Sequence, residues 1–273
     1  MVNWDEDDFM AAWDKQYVST NVKAGSRSYD RDLFIGIASK LSSSHPELKN
    51  IADAVIAISC VAVGRADVVG RLFDDITVNS TPEESQQIFL RLREAITIAF
   101  PYLGMPTCMP ACYGMLGVIQ RKGPEYASSK VLRKKTITDE DVRKGTNLRK
   151  KIYSGVGNSE VFALMDRYFT DLFTTSTVVT WGYLIAKANE EVFRPEESHL
   201  IIASAIMALG ATRQTKSHIK ATLGIGNSVA CVKAVVEAVA TIAEWENRPC
   251  IGPFDIDQLA SDIQQALKTV VND

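Results

Sequence analysis

Ile201-Ile202-Ala203-Ser204-Ala205-Ile206-Met207-Ala208-Leu209-Gly210 is a run of apolar and small residues that stops at glycine. It is too short to span a bilayer and reads as a helix buried in a protein core. Val55-Ile56-Ala57-Ile58-Ser59-Cys60-Val61-Ala62-Val63-Gly64 is the same kind of element 146 positions earlier. A shorter helix follows each, Arg65 to Phe73 and Ala211 to Ile219, and then a turn and a third helix. In the third helices Glu94-Ala95-Ile96 matches Glu237-Ala238-Val239, Tyr102 matches Trp245 and Pro106 matches Pro249, all at a spacing of 143. The change of spacing is a small length difference in the intervening loop. Agreement through Gly at a spacing of 146 and through Glu, aromatic and Pro at 143 points to a tandem duplication of a small helical domain. The period is far too long for a solenoid.

The rest of the chain carries the same helical signature. Thr81-Pro82-Glu83-Glu84 supplies an N-cap, a proline at the first helical position and a glutamate at the third. Ile88, Leu92, Ala95, Ile96 and Ala99 then recur at helical spacing. Thr138-Asp139-Glu140-Asp141 and Asn227-Ser228 are further starts, and Pro253-Phe254-Asp255-Ile256-Asp257 leads into a last helix. No pair of β-branched runs is joined by an Asn-Gly or Asp-Gly turn. The expected fold class is therefore all-α, with a first copy at 1–125, a basic connector at 126–150 and a second copy at 151–273.

Bulk properties narrow the function. A net charge of -3 over 273 residues gives no global basic field for nucleic acid. The start, Met1-Val2-Asn3-Trp4-Asp5-Glu6-Asp7-Asp8, is acidic and has no apolar stretch, which argues against a secretory signal or an Arg-rich transit peptide. With no membrane span expected, the chain reads as cytoplasmic. Its five cysteines, Cys60, Cys108, Cys112, Cys231 and Cys250, are odd in number and sparse, as reduced cytosolic thiols are. Lys130 to Lys151 is a compositional break: nine basic residues surround Asp139, Glu140 and Asp141. A solvated, mixed-charge helix and connector is the simplest reading. A basic rim that attracts an anionic substrate is the sharper one. Nucleic-acid binding is disfavoured because no aromatic residues are interleaved.

Trp181-Gly182-Tyr183, Arg194-Pro195-Glu196-Glu197-Ser198-His199-Leu200, Ala208-Leu209-Gly210-Ala211-Thr212-Arg213-Gln214-Thr215-Lys216-Ser217-His218-Ile219-Lys220 and Gly224 to Ser228 form a further pattern. It resembles the core helical hairpin of the carboxymuconolactone decarboxylase and alkylhydroperoxidase D family. The resemblance covers about Phe169 to Pro249 well and Ile51 to Pro106 more weakly. It implies a hairpin in which an acidic residue, two cysteines or their replacements, and a histidine face one pocket. The family histidine falls on His218. Ala211 and Gln214 stand where the peroxidase branch has its two cysteines, and His199 stands at the usual glutamate. The matching positions of the first copy are Asp53, Arg65, Val68 and Leu72, which make no such site. The resemblance also implies a homo-oligomer, with a trimer expected for a two-copy chain.

A thiol peroxidase needs a thiolate, a resolving thiol and a proton relay. Ala211 and Gln214 supply none of these, and Cys108 and Cys112 do not have the spacing of a redox motif. What is left at the family positions is two of the chain's three histidines and one amide. Imidazoles can take up and release protons near neutral pH. His218, His199 and Gln214 are therefore the candidate catalytic residues, with His218 as proton donor. Arg213 is the candidate partner for a carboxylate or oxyanion, and Trp181 and Tyr183 are candidate walls. The expected activity is a decarboxylase- or isomerase-type lyase acting on a small organic acid or enolisable metabolite. No cofactor is expected, nor a metal, because no third ligand stands at metal-site spacing. A non-catalytic oligomeric or interaction protein and a thiol peroxidase are the alternatives.

Overall fold

Thr81 caps the longest helix of the structure, a computed structural model that describes residues 3–157, 159–248 and 254–272. Its hydroxyl accepts from the Glu84 amide at 3.3 Å, and its own amide donates to the Glu84 carboxylate at 2.9 Å. Two of the helix's orphan donors are thereby satisfied. All regular structure among the described residues is helical, so the fold is all-α. In chain order the helices are α1 (Asp8–Trp13), α2 (Arg31–Ser44), α3 (Ala52–Ala62), α4 (Val68–Ile76), α5 (Pro82–Leu103) and α6 (Met105–Lys122). They continue with α7 (Asp139–Tyr153), α8 (Ser159–Tyr168) and α9 (Thr170–Thr175). After a π-helical stretch over Ser176–Ala186 come α10 (Lys187–Glu191), α11 (Pro195–Ala208), α12 (Thr212–Gly224), α13 (Val229–Trp245) and α14 (Ile256–Asn272). The Thr138 amide donates to Asp141 at 2.8 Å at the start of α7, and Ser228 accepts from the Cys231 amide at 3.1 Å at the start of α13. Pro249, Cys250 and Pro253, which were assigned roles in the repeat, the thiol inventory and the last helix, lie outside the described residues.

The apolar runs that opened the sequence are α3 and α11. They pack against each other at the centre, where α5 also lies against both. Nearly every side chain of the two helices is buried, so each is apolar all round. Both end in the same turn. Gly64 (φ 88°) and Gly210 (φ 75°) take the left-handed conformation that glycine adopts without strain. The amides of residues 63, 64 and 65 donate to the carbonyls of 59, 61 and 60. Those of 209, 210 and 211 donate to 205, 207 and 206, the same pattern 146 positions on. At the spacing of 143, α5 ends at Gly104 (φ 85°) and α13 runs into Asn247 (φ 54°). The ends of these two helices reach reciprocally. Tyr102 meets the hairpin α11–α12, and Trp245 meets the hairpin α3–α4.

The stretch between the two halves is more than a solvated connector. Arg133 is largely buried and pairs with the buried Glu94 of α5 at 2.7 Å. Helix α7 packs along the π-helical stretch, and the two backbones touch at Gly145 and Gly182. A Cβ on Gly182 would collide with the Asp141 carbonyl oxygen, and one on Gly145 with the Thr177 carbonyl oxygen. Neither obstacle is a flexible side chain. Gly182→Ala is therefore expected to force the helices apart and to cost about 1–3 kcal/mol, the range for overpacking a tight contact. Denaturant melts of the wild type and variant check this. No helix among the described residues is long and apolar enough to cross a membrane.

Candidate functional site

His199 lies in the second turn of α11 and His218 in the middle of α12. The tight turn at Gly210 folds these helices into a hairpin and brings the two imidazoles face to face. Their centroids are 5.1 Å apart and the planes differ by 19°. Both rings are shut away from solvent, with His199 1% and His218 6% exposed. Trp181, from the π-helical stretch, stacks on His199 at 6.1 Å. Tyr153, at the end of α7, stands edge-on to both histidines, and its hydroxyl is 3.2 Å from His218 Nε2. Tyr102 of α5 meets His218 edge-on at 6.3 Å. The result is an aromatic cluster in which two imidazoles and the phenols of Tyr153 and Tyr102 are the polar groups.

The hydrogen-bond ledger of this cluster does not close. His199 Nδ1 and Nε2 and His218 Nδ1 are buried and have no hydrogen-bond partner among the described residues. Burial disfavours charge. It pushes His199 well below the ordinary imidazole range, with the neighbouring His218 adding to the effect, and it lowers His218 to about 4. Burial also raises Tyr153 to about 12, against the opposing pull of Arg149, and raises Tyr102 well above its usual value. At neutral pH both imidazoles are therefore neutral and the Tyr153 phenol keeps its proton. This corrects the expectation that a protonated His218 is the proton source. A neutral ring offers a base and a hydrogen-bond donor, and the Tyr153 hydroxyl beside it is a further hydrogen-bonding group.

The pH dependence follows. His218 titrates at about 6.5 when unfolded and about 4 when folded. As pH falls below 6.5 the unfolded chain takes up a proton that the folded chain refuses. Stability is therefore intact above that value and is lost as pH falls toward about 4. The loss from His218 alone is limited to about 3 kcal/mol at one pKa unit per 1.36 kcal/mol. With only three histidines in the chain, ring C–H resonances read this directly. The His199 and His218 signals are expected to stay nearly unshifted from pH 8 to pH 5. A midpoint near 6.5 for either would contradict the buried geometry.

The other expected site residues are elsewhere. Gln214 and Arg213 are exposed in the first turn of α12. Side chains lean toward the N-terminus of their helix, and in a first turn that direction leads out of the hairpin. Tyr183 points away from Trp181 and lines a separate cleft of about 210 Å³ with Leu132, Thr138 and Lys144. There its hydroxyl donates to the Lys134 carbonyl, and its own carbonyl accepts from Arg133 at 2.9 Å. Of the six residues expected from sequence, His199, His218 and Trp181 come together.

Tyr153 and Arg149 were missed. They lie one helical turn apart on α7, in or beside the basic stretch, where charge composition masks a site-facing edge. Tyr102 was noticed only as a marker of the repeat. Arg149 holds its guanidinium 3.7 Å from the Phe173 ring centroid and 5.3 Å from that of Phe162, and donates to the Thr177 hydroxyl at 3.2 Å. Phe162 in turn packs on Tyr153 at 5.6 Å.

No protein-family model matches the chain, and no curated protein does. The chemistry must be read from the residues. Cys60, Cys108 and Cys231 are buried, Cys112 is half-buried, and all four are free. Burial raises each thiol, Cys108 to about 11 and Cys231 to about 12, which disfavours the nucleophilic thiolate. Among the described residues, no three His, Cys, Asp or Glu side chains are grouped as metal ligands.

Proposed function

We propose that this chain is a cofactor-independent lyase or isomerase of the carboxymuconolactone decarboxylase and alkylhydroperoxidase D type, moving protons on a small enolisable acid between His199, His218 and Tyr153. The observation that carries this reading is the set of three buried, unpartnered ring nitrogens in an aromatic cluster. Each unsatisfied buried polar group costs about 1–3 kcal/mol, and such groups in native proteins call for a ligand or a reaction. The matching glycine turns and reciprocal helix ends support the duplication that the resemblance implies. Leu164, Tyr168, Phe169 and Leu172, exposed along α8 and α9, support assembly into a homo-oligomer, for which a trimer is the expected form. The free thiols support a cytosolic setting.

The chemistry is balanced with these groups alone. In isomerisation a C–H bond beside a carbonyl breaks and the proton goes to the free base nitrogen of His199. The electron pair forms the enolate, whose oxyanion is met by the Tyr153 hydroxyl and a His218 N–H. Return of the proton to a carbon completes the reaction. In decarboxylation of a 3-oxo acid the C–C bond to the carboxylate breaks, carbon dioxide leaves, and the resulting enolate takes a proton that the hydroxyl–imidazole pair recovers from solvent. A panel of 2-oxo and 3-oxo carboxylates, phenylpyruvate among them, tests this by deuterium exchange next to the carbonyl and by release of carbon dioxide. Exchange above the buffer rate, lost in His199→Ala and His218→Ala, is expected. Turnover indifferent to both substitutions would sink the reading.

A non-catalytic protein that retains the fold is the second reading, favoured by the near-complete burial of both rings. It requires that no member of the panel exchange above the blank.

A further inference from the structure

Arg149 lies four residues before Tyr153, on the same face of α7. A guanidinium has five N–H donors. The one hydrogen bond of Arg149 is to the neutral Thr177 hydroxyl, and it makes no ion pair with any described carboxylate within 4 Å. Asp166 of α8 is the acidic group that acts on it, from a greater distance, and Tyr153 and Tyr102 also lie within its electrostatic reach. Burial works against its charge. The side chain is half-buried. Phe173 and Phe162 fix the plane of the guanidinium and leave the rest of its donor edge free. In contrast, Arg65, Arg121 and Arg133, whose side chains are more deeply buried, each meet a carboxylate at 2.8 Å or less.

We propose that Arg149 is the anchor for a ligand carboxylate, so that the site takes a small monocarboxylate with a planar apolar body. The inference rests on the proton-transfer reading of the His199–His218 cluster and adds the ligand's class to it. A planar, doubly donating fork matches the two oxygens of a carboxylate. The aromatic walls formed by Tyr102, Tyr153, Trp181 and Phe162 match a flat apolar body and offer no second cation for another charge. With the carboxylate on Arg149, the carbon chain is directed inward past Tyr153 toward the imidazoles. Phe162 packs on Tyr153 and beneath the guanidinium, so it is the side chain that must shift for a ligand to enter. Arg149 acts here as a binding residue, and the proton-moving groups stay those of the cluster.

Benzoate and benzamide, flat probes of nearly equal shape that differ in charge, separate this from a purely structural arginine. They are titrated into the full chain while the ring resonances of His199 and His218 are followed. Benzoate is expected to shift both saturably and to bind at least tenfold more tightly than benzamide. Arg149→Gln is expected to weaken benzoate at least tenfold and to leave benzamide within about twofold, and Arg149→Lys to restore part of the loss. Equal affinity for the two probes in the wild type overturns the proposal, whether or not Arg149→Gln folds. So does unchanged benzoate affinity in a folded Arg149→Gln. Deuterium exchange that depends on His218, with benzoate binding indifferent to Arg149, overturns the anchor alone. Benzoate selectivity that depends on Arg149, with no exchange on any substrate, upholds the anchor and removes the reaction.

Discussion

Arg65→Ala is expected to cost about 3–5 kcal/mol, the range for removing one partner of a buried ion pair. Arg65 is 3% exposed. Its guanidinium grips Asp67 with two bonds of 3.0 and 2.8 Å, and a third nitrogen donates to Glu246 and to the Arg27 carbonyl, both at 2.7 Å. Its plane lies 4.6 Å from the Trp245 ring centroid. Burial alone would lower the arginine, but the hydrogen bonds and charges of Asp67 and Glu246 outweigh it and hold the cation above its usual range. Alanine would leave two carboxylates facing each other with no cation and would uncover one face of Trp245. Arg65→Met, which keeps volume without charge, should be nearly as damaging, because the penalty comes from the abandoned acids. Denaturant melts at neutral pH check both. The triple replacement Arg65→Met, Asp67→Leu, Glu246→Leu should recover much of the loss, since apolar substitution of a whole buried ionic cluster is often neutral or stabilising. A single-substitution cost under about 1 kcal/mol would mean that the cluster is solvated.

That cluster explains why the two halves differ. At the spacing of 146, Arg65 corresponds to Ala211, Asp53 to His199 and Leu72 to His218. In the first half a helix turn is closed by a saturated ionic knot. In the second, the corresponding turn begins α12 without a charge, and the polar groups behind it are left unpaired. The same turn geometry thus closes on an ionic clasp in one hairpin and on a stacked histidine pair with unpartnered nitrogens in the other.

The parts of this arrangement that the sequence displays are those written in local chemistry. Thr81, Thr138 and Ser228 mark helix starts because a cap is made within three residues of itself. Gly64 and Gly210 mark the hairpins because the turn needs a left-handed residue. His199 and His218 are legible as a pair through the hairpin pattern. The contacts that complete the site cross long stretches of chain. Tyr153 reaches His218 over 65 positions, and Arg65 reaches Glu246 over 181. No local pattern encodes either. Gln214 shows the converse error. It lies one helical turn before His218, as a shared face requires, but the hairpin ends before that turn is covered. Arg149 and Tyr153 sit where nine basic residues in a short stretch make solvation the natural reading.

His218→Phe and His199→Phe set stability against chemistry. If the imidazoles move protons, either change should lower exchange on the best substrate by about 10²–10⁴-fold, the usual share of a general acid–base group. The same changes should not weaken the fold. Each replaces a ring carrying unpartnered nitrogens by an apolar ring among Trp181, Tyr153 and Tyr102, and each removes the acid sensitivity of the group it replaces. His199→Phe, which abandons no hydrogen bond, is expected to stabilise by about 1–3 kcal/mol, the cost of an unsatisfied buried group. His218→Phe gains less, because it strands the Tyr153 hydroxyl that now meets Nε2. Thermal and denaturant melts from pH 8 to pH 5 measure one side, and deuterium exchange the other. A structural histidine pair would lose stability in both variants with no exchange to lose. Buried polar groups that weaken the fold persist where function needs them, and a stabilised, inactive His199→Phe would place this pair in that class.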